Sequence, residues 1–463
     1  MSEMAVDQKR HEPELRRVMG TKLLLLFIVG DILGTGVYAL TGEVAGEVGG
    51  AAWAPFLIAF IVALLTAFSY IELVTKYPQA AGAALYTHKA FGLQFLTFLV
   101  AFTVMCSGIT SASTASNAFA DNLVAGFGLD WGDTGVTALA LGFMTLVAAV
   151  NFRGVGESVK ANVVLTLVEV SGLVIIILIG FLVIARGDGN LGAVVTFETS
   201  GDKSVFIAVT TATALAFFAM VGFEDSVNMA EETKDPSRIF PKIMLTGLTI
   251  TGAIYVLVSI AAVAIVPVGE LADESVPPLL RVVEAGAPGL PVADIYPFIT
   301  MIAVANSALI NMLMASRLLY GMANENVLPP ALGRVHPARR TPWVSIIFTT
   351  LIAFGLIVAV SRFMGDETIS TLGGTTATLL LGVFTVVNIA VLVLRRQPVQ
   401  HQSFRAPTAI PVLGALTCAF LVGPWTGRDP AQYTVGGGLL LVGIVLWSLT
   451  WAWNRGVRAR PEG

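Results

Sequence analysis

Two runs set glycine, small polar groups and an acid inside otherwise apolar sequence: Gly30-Asp31-Ile32-Leu33-Gly34-Thr35-Gly36-Val37 and Phe218-Ala219-Met220-Val221-Gly222-Phe223-Glu224. In hydrocarbon an unpaired N–H or C=O costs several kcal/mol, so backbone opens there only where it lines a cavity or meets a ligand. An opened helix presents free N–H groups on one half-helix, which suit a carboxylate, and free C=O groups on the other, which suit an ammonium or a cation. Gly34 and Gly36 let a ligand approach the amides and Thr35 adds a hydroxyl, while Ile32 and Leu33 flank them. In the second run Ala219 and Gly222 are small, and Phe218, Met220, Val221 and Phe223 supply apolar walls. A site with both polarities suits an α-amino acid. The competing reading of a lone Gly-x-Gly is close packing of helices; two matched breaks favour the ligand site.

The elements that carry these runs are apolar helices. Of 463 residues, 55% are hydrophobic and 13% charged, and the mean hydropathy is +0.80, whereas a soluble domain carries about 25% charge. Stretches long enough to cross a bilayer fall at 22–46, 51–75, 92–120, 134–151, 161–185, 205–230, 241–267, 293–320, 343–362, 369–394, 409–425 and 433–453. With a cytoplasmic N-terminus, alternation of these twelve spans puts 22 of the 27 Lys and Arg residues inside, and only Arg186, Lys203, Arg281, Arg362 and Arg428 outside. That bias predicts a multi-pass inner-membrane protein with both termini cytoplasmic. The polar start of the chain is not a cleavable signal.

The two runs occupy the first and sixth spans. Five spans per half force the halves into opposite orientations. The expected organisation is a cytoplasmic tail (1–21), a first repeat (22–185), an inverted second repeat (205–394), two added helices (409–453) and a cytoplasmic tail (454–463). Segment 76–92 reads as a short interfacial helix rich in small residues.

Four motifs in order carry a resemblance. Val29–Gly42 is similar to GxGxxIGxGIFxLxG, and Phe217–Pro241 to FxGFDxxxxxAEExxNPxRxxP. Ser69-Tyr70-Ile71-Glu72-Leu73 with Pro78–Gly82 is similar to SYxELxxxxPxxGG, and Ser316–Tyr320 through Leu328-Pro329 and Thr341-Pro342-Trp343 to the pattern of an eighth helix and its following loop. Over at least residues 22–400 the chain resembles amino acid–polyamine–organocation permeases, with bacterial and cationic amino acid transporter branches nearest. The resemblance implies an all-α integral membrane protein with a LeuT-type 5+5 inverted-repeat fold of twelve helices. It further implies that helices 1 and 6 are unwound at mid-membrane and that amino acids move by alternating access. Proton-coupled import is the first expectation; exchange, sodium symport and a transporter-like sensor are the alternatives.

Two positions depart from the pattern. Asp31 replaces a Gly or Ala of the motif, and the stretch Thr166-Leu167-Val168-Glu169-Val170 carries an acid where proton-coupled relatives place a Lys that stands in for sodium. Asp31 and Glu169 are nine and eight residues into spans that start at the same face, so each lies roughly 12–14 Å deep. Two carboxyls at one depth on adjoining helices can share a proton, which makes Glu169, together with Asp31, the expected coupling group. A purely structural Glu169, or one that touches a cationic substrate, are the alternatives. Glu224 and Asp225 are candidates for the cavity or its exit, Glu231 and Glu232 for an inner gate, and Glu72 for an ion pair with a nearby base. Asn306 and Asn311 either line the cavity or bond between helices.

Other classes lack support. No HExxH or GxSxG motif occurs, so an enzyme is not expected, nor is a cofactor or a metal. Histidines 11, 88, 336 and 401 all fall outside the spans, and Cys106 and Cys418 sit in separate spans without disulfide or zinc spacing. The basic residues follow membrane orientation, which leaves no nucleic-acid surface. The expected partners are an amino acid, a proton or sodium ion, and the lipid bilayer.

Overall fold

Leucine, valine, isoleucine and alanine in runs of 20 or more residues leave the backbone no partner but itself in lipid, and the helix satisfies it. The computed structural model describes residues 19–79, 82–153, 158–199, 203–230, 233–273, 275–324, 327–339, 341–364 and 367–458. Within them regular structure is helical, apart from two isolated bridges, Met19–Thr233 and Gly49–Phe197. The helices are α1 (Thr21–Ile32), α2 (Thr35–Val48), α3 (Trp53–Lys76), α4 (Gly82–Phe91), α5 (Gln94–Phe127), α6 (Asp133–Arg153), α7 (Ser158–Arg186), α8 (Leu191–Val194) and α9 (Val205–Ala216). They continue with α10 (Pro236–Ile265), α11 (Val268–Leu271), α12 (Pro278–Gly286), α13 (Val292–Asn324), α14 (Trp343–Met364), α15 (Thr368–Leu394), α16 (Ala409–Val422) and α17 (Pro430–Arg458).

Eleven segments of the described residues are long and apolar enough to span a bilayer, with Thr21–Val48 and Val205–Asn228 each counted as one interrupted segment. The expected eleventh span, 409–425, is shorter than read: α16 has 14 residues, about 21 Å of rise against a core of roughly 30 Å. Gly423 is extended and Pro424 has no N–H to continue the helix. The small-residue stretch after α3 does form a short helix, α4, although Ala80 and Ala81 lie outside the described residues.

Helix α5 packs along α13 and α15, and α3 packs along α10. Its central place shows in burial: 72% of the most apolar window of α5 is covered, against 22% for α17, which lies at the rim. Two polar clamps hold the periphery. Glu72 on α3 takes a bidentate pair from Arg395 at 2.7 and 2.6 Å, plus the Ala406 N–H at 3.0 Å. Arg428, just before α17, is fully buried and bonds Leu421 O (2.9 Å), Thr378 Oγ1 (2.8 Å), Gln432 Oε1 (3.0 Å) and Ala214 O (3.3 Å). Burial pushes its pKa down to about 10, so it stays charged at neutral pH and pins the end of α9 to α15 and α16.

Candidate functional site

The first interruption is narrower than the run that signals it. Gly30, Asp31 and Ile32 remain helical, and the chain departs at Gly34 (φ −46°, ψ −143°) before α2 starts at Thr35. No side chain caps the N-terminus of α2, so its first amides are available to an anion. At the other lip Leu33 N–H bonds Val29 O at 2.9 Å, and the Tyr255 hydroxyl of α10 donates to Ile32 O.

The second interruption begins where α9 tightens into a 3₁₀ turn over Phe217–Met220. Val221 is extended, and Gly222 has φ +123°, a region that only glycine enters without strain. The Glu224 carboxylate folds back to accept the Gly222 N–H at 2.9 Å.

Glycine lets the breaks touch. A Cβ at Gly222 would lie 2.7 Å from Asp31 O, one at Gly36 would lie 2.4 Å from Ala219 Cα, and one at Gly34 would lie 1.8 Å from Ser307 Oγ on α13. Gly30 is likewise closed against Thr166 on α7, whose Oγ1 would be 1.9 Å from a Cβ. The breaks therefore sit on each other, with α13 and α7 against the first.

Between them is a cavity of about 30 Å³. Its wall takes Asp31, Ile32, Gly34, Thr35 and Gly36 from the first run, and Phe218, Val221, Gly222, Glu224 and Asp225 from the second. Asp31 Oδ2 and Thr35 Oγ1 are buried on that wall without a hydrogen-bond partner among the described residues. Leu33, Ala219, Met220 and Phe223 are buried behind it. Phe223 there packs edge-on to Tyr70, with ring centres 5.8 Å apart.

Asn311 on α13, one of the two asparagines offered for the cavity, does line it, whereas sequence reading passed over Ser107, Gly108 and Ser111 on α5, Ser307 on α13 and Leu380 on α15. The signal was present in the run 107–117, SGITSASTASN, where Ser107 and Ser111 share a helix face. Hydroxyls of this run mask the pattern by bonding their own helix, as Ser107 does to Val104 O at 2.7 Å and Ser113 to Ile109 O at 2.8 Å.

Glu169 and Asn306 do not line this cavity. Glu169 is fully covered on α7, and neither of its carboxyl oxygens has a hydrogen-bond partner among the described residues. The Asn306 side chain is directed at it, yet Asn306 Nδ2 closes no hydrogen bond there. The Tyr38 hydroxyl donates to the Glu169 main-chain oxygen at 2.6 Å. Asp31 thus lies on the cavity wall, whereas Glu169 is buried among the helices away from that lining. Glu231 and Glu232 lie outside the described residues. Beside them the Lys234 N–H bonds Met19 O at 3.0 Å, which ties the segment before α1 to the end of the second break.

Two further spaces flank the cavity. Toward the end that carries Met19, a pocket of about 20 Å³ shares Glu224 and Asp225 with it. At the opposite end a vestibule of about 420 Å³ opens among α2, α5, α6 and α12. Among the described residues no group of three His, Cys, Asp or Glu side chains is placed to hold a metal.

A family model described as amino acid permease matches residues 19–449. The chain is 26% identical over 459 residues to a branched-chain amino acid permease of Bacillus subtilis, covering 95% of this chain and 94% of that one. It is 27% identical over 427 residues to the methylthioribose transporter of the same organism, with 88% of each chain covered. It is also 28% identical over 356 residues to chloroplastic cationic amino acid transporter 9 of Arabidopsis thaliana, covering 73% of this chain and 60% of that protein.

Proposed function

The chain belongs to the amino acid permease family, and from that premise we propose that it is a secondary active amino acid transporter, working by alternating access and coupling import to protons. The observation that carries this reading is the pair of glycine breaks seated on each other around one cavity. The uncapped amides at Thr35 and Gly36 receive the substrate carboxylate, and the acids on the facing wall receive its ammonium. A cavity of about 30 Å³ has room for one or two waters and not for an amino acid. Loading therefore requires a half-helix to move, as alternating access demands.

In this reading the twelve expected spans form a LeuT-type pair of inverted five-helix halves in the plasma membrane, with both termini cytoplasmic and α16 as the short eleventh span. The vestibule is then the outer entrance, and the small pocket at Glu224 and Asp225 is the inner exit.

Glu169 is the proposed coupling group. A covered carboxylate with no hydrogen-bond partner is costly in hydrocarbon until a proton or a cation cancels its charge. Its helix also touches the first break: the Tyr38 hydroxyl on α2 donates to the Glu169 main-chain oxygen at 2.6 Å. Purified protein in liposomes should take up a radiolabelled amino acid under an inward proton gradient without sodium. Glu169→Gln should still bind substrate, while the proton gradient no longer accelerates uptake. Uptake by Glu169→Gln that follows the gradient as in the wild type, or uptake that needs sodium, would remove this assignment. Binding without any uptake would point to a sensor.

A further inference from the structure

We propose that Asp31 is the counter-charge for a cationic group on the substrate side chain, so that the chain selects dibasic amino acids over neutral ones of the same shape. The proposal rests on the transporter reading and deepens it.

Three carboxyls line the central cavity, Asp31, Glu224 and Asp225, and no Lys, Arg or His among the described residues lines it. They are not equivalent. Glu224 already accepts the Gly222 N–H at 2.9 Å, and Asp225 Oδ1 faces Asn228 Nδ2 at 3.5 Å. Asp31 is left: it is 7% exposed, on the wall, and its Oδ2 has no partner. The single ammonium of a neutral amino acid goes to Glu224 and Asp225 on the facing wall and leaves Asp31 Oδ2 without a partner. A substrate with one more cationic group supplies the missing charge, and a charge-assisted hydrogen bond to Asp31 fixes its position.

The vestibule has the same sign. Glu43, Asp121, Asp133 and Asp273 line it, and again no basic residue among those described does. Arg281 pairs with Asp273 at 2.9 Å from outside that lining. Asn122 Oδ1, on a residue 3% exposed, also lies there without a partner. An approach lined by one sign concentrates ligands of the other, so the approach and the site favour the same cation.

Lysine and norleucine have the same carbon chain and differ only in the terminal amino group, so they isolate the charge. In liposomes the wild type should take up lysine with a KM at least about tenfold below that for norleucine. Asp31→Asn should raise the lysine KM by about that factor and close the gap between lysine and norleucine. Thermal stabilisation of the wild type by lysine and not by norleucine gives the same answer without a variant, should Asp31→Asn not fold. Equal KM values in the wild type, or an Asp31→Asn variant that loses both substrates through kcat alone, would overturn the proposal. Norleucine uptake with lysine ignored would remove it while the transporter reading stands. Failure to take up or bind any of the twenty amino acids would remove both.

Discussion

Single atoms decide whether the two breaks fit together. At Gly36 the obstacle to a side chain is backbone, Ala219 Cα at 2.4 Å, and backbone cannot rotate aside as a flexible side chain does. Gly36→Ala should therefore force the half-helices apart, at a cost of about 1–3 kcal/mol. The expected readout is uptake reduced at least about tenfold, with the protein still inserted and folded by detergent-resistant circular dichroism. Uptake at the wild-type rate would show that the cavity walls do not need this contact. Gly222→Ala adds backbone strain to the clash, because φ there is +123°, and should be the more severe change.

At the scale of elements, the interrupted segments are held by neighbours that stay continuous. Helices α13 and α15 each pack along α5, while α3 is fastened to the segment after α15 by Glu72 and Arg395, whose side chains are 5% and 9% exposed. Removing one partner of such a pair leaves a buried charge behind and costs about 3–5 kcal/mol. Arg395→Met should lower the melting temperature sharply, and Glu72→Gln with Arg395→Met together should be less harmful than the sum of the single changes. Additive losses in that double-mutant cycle would show that the two side chains do not act as a pair.

For the whole molecule the testable statement is which end faces which side. Both cysteines, Cys106 and Cys418, are buried, so introduced cysteines can be read against a silent background. Trp131→Cys, at the vestibule, should react with an impermeant maleimide on intact cells. Arg339→Cys, in the segment between α13 and α14, should react only after permeabilisation. The reverse pattern would invert the proposed orientation and exchange entrance with exit.

Hydropathy and charge made the helices legible, since lipid admits few backbone solutions and eleven long spans follow from it. The glycine-rich runs marked the two interruptions for the same reason. The sequence alone determined that the first and sixth segments open and that an acid lies near each opening. It did not determine which acid meets the cavity. Asp31 and Glu169 have the same depth along their helices, but facing direction depends on how α1, α7 and α13 rotate against one another. That rotation is set by contacts such as Gly30 on Thr166 and Gly34 on Ser307. Those contacts join residues far apart in the chain, and only the tertiary structure turned Asp31 to the wall, buried Glu169 away from it, and brought Ser107, Ser111 and Asn311 to face the breaks.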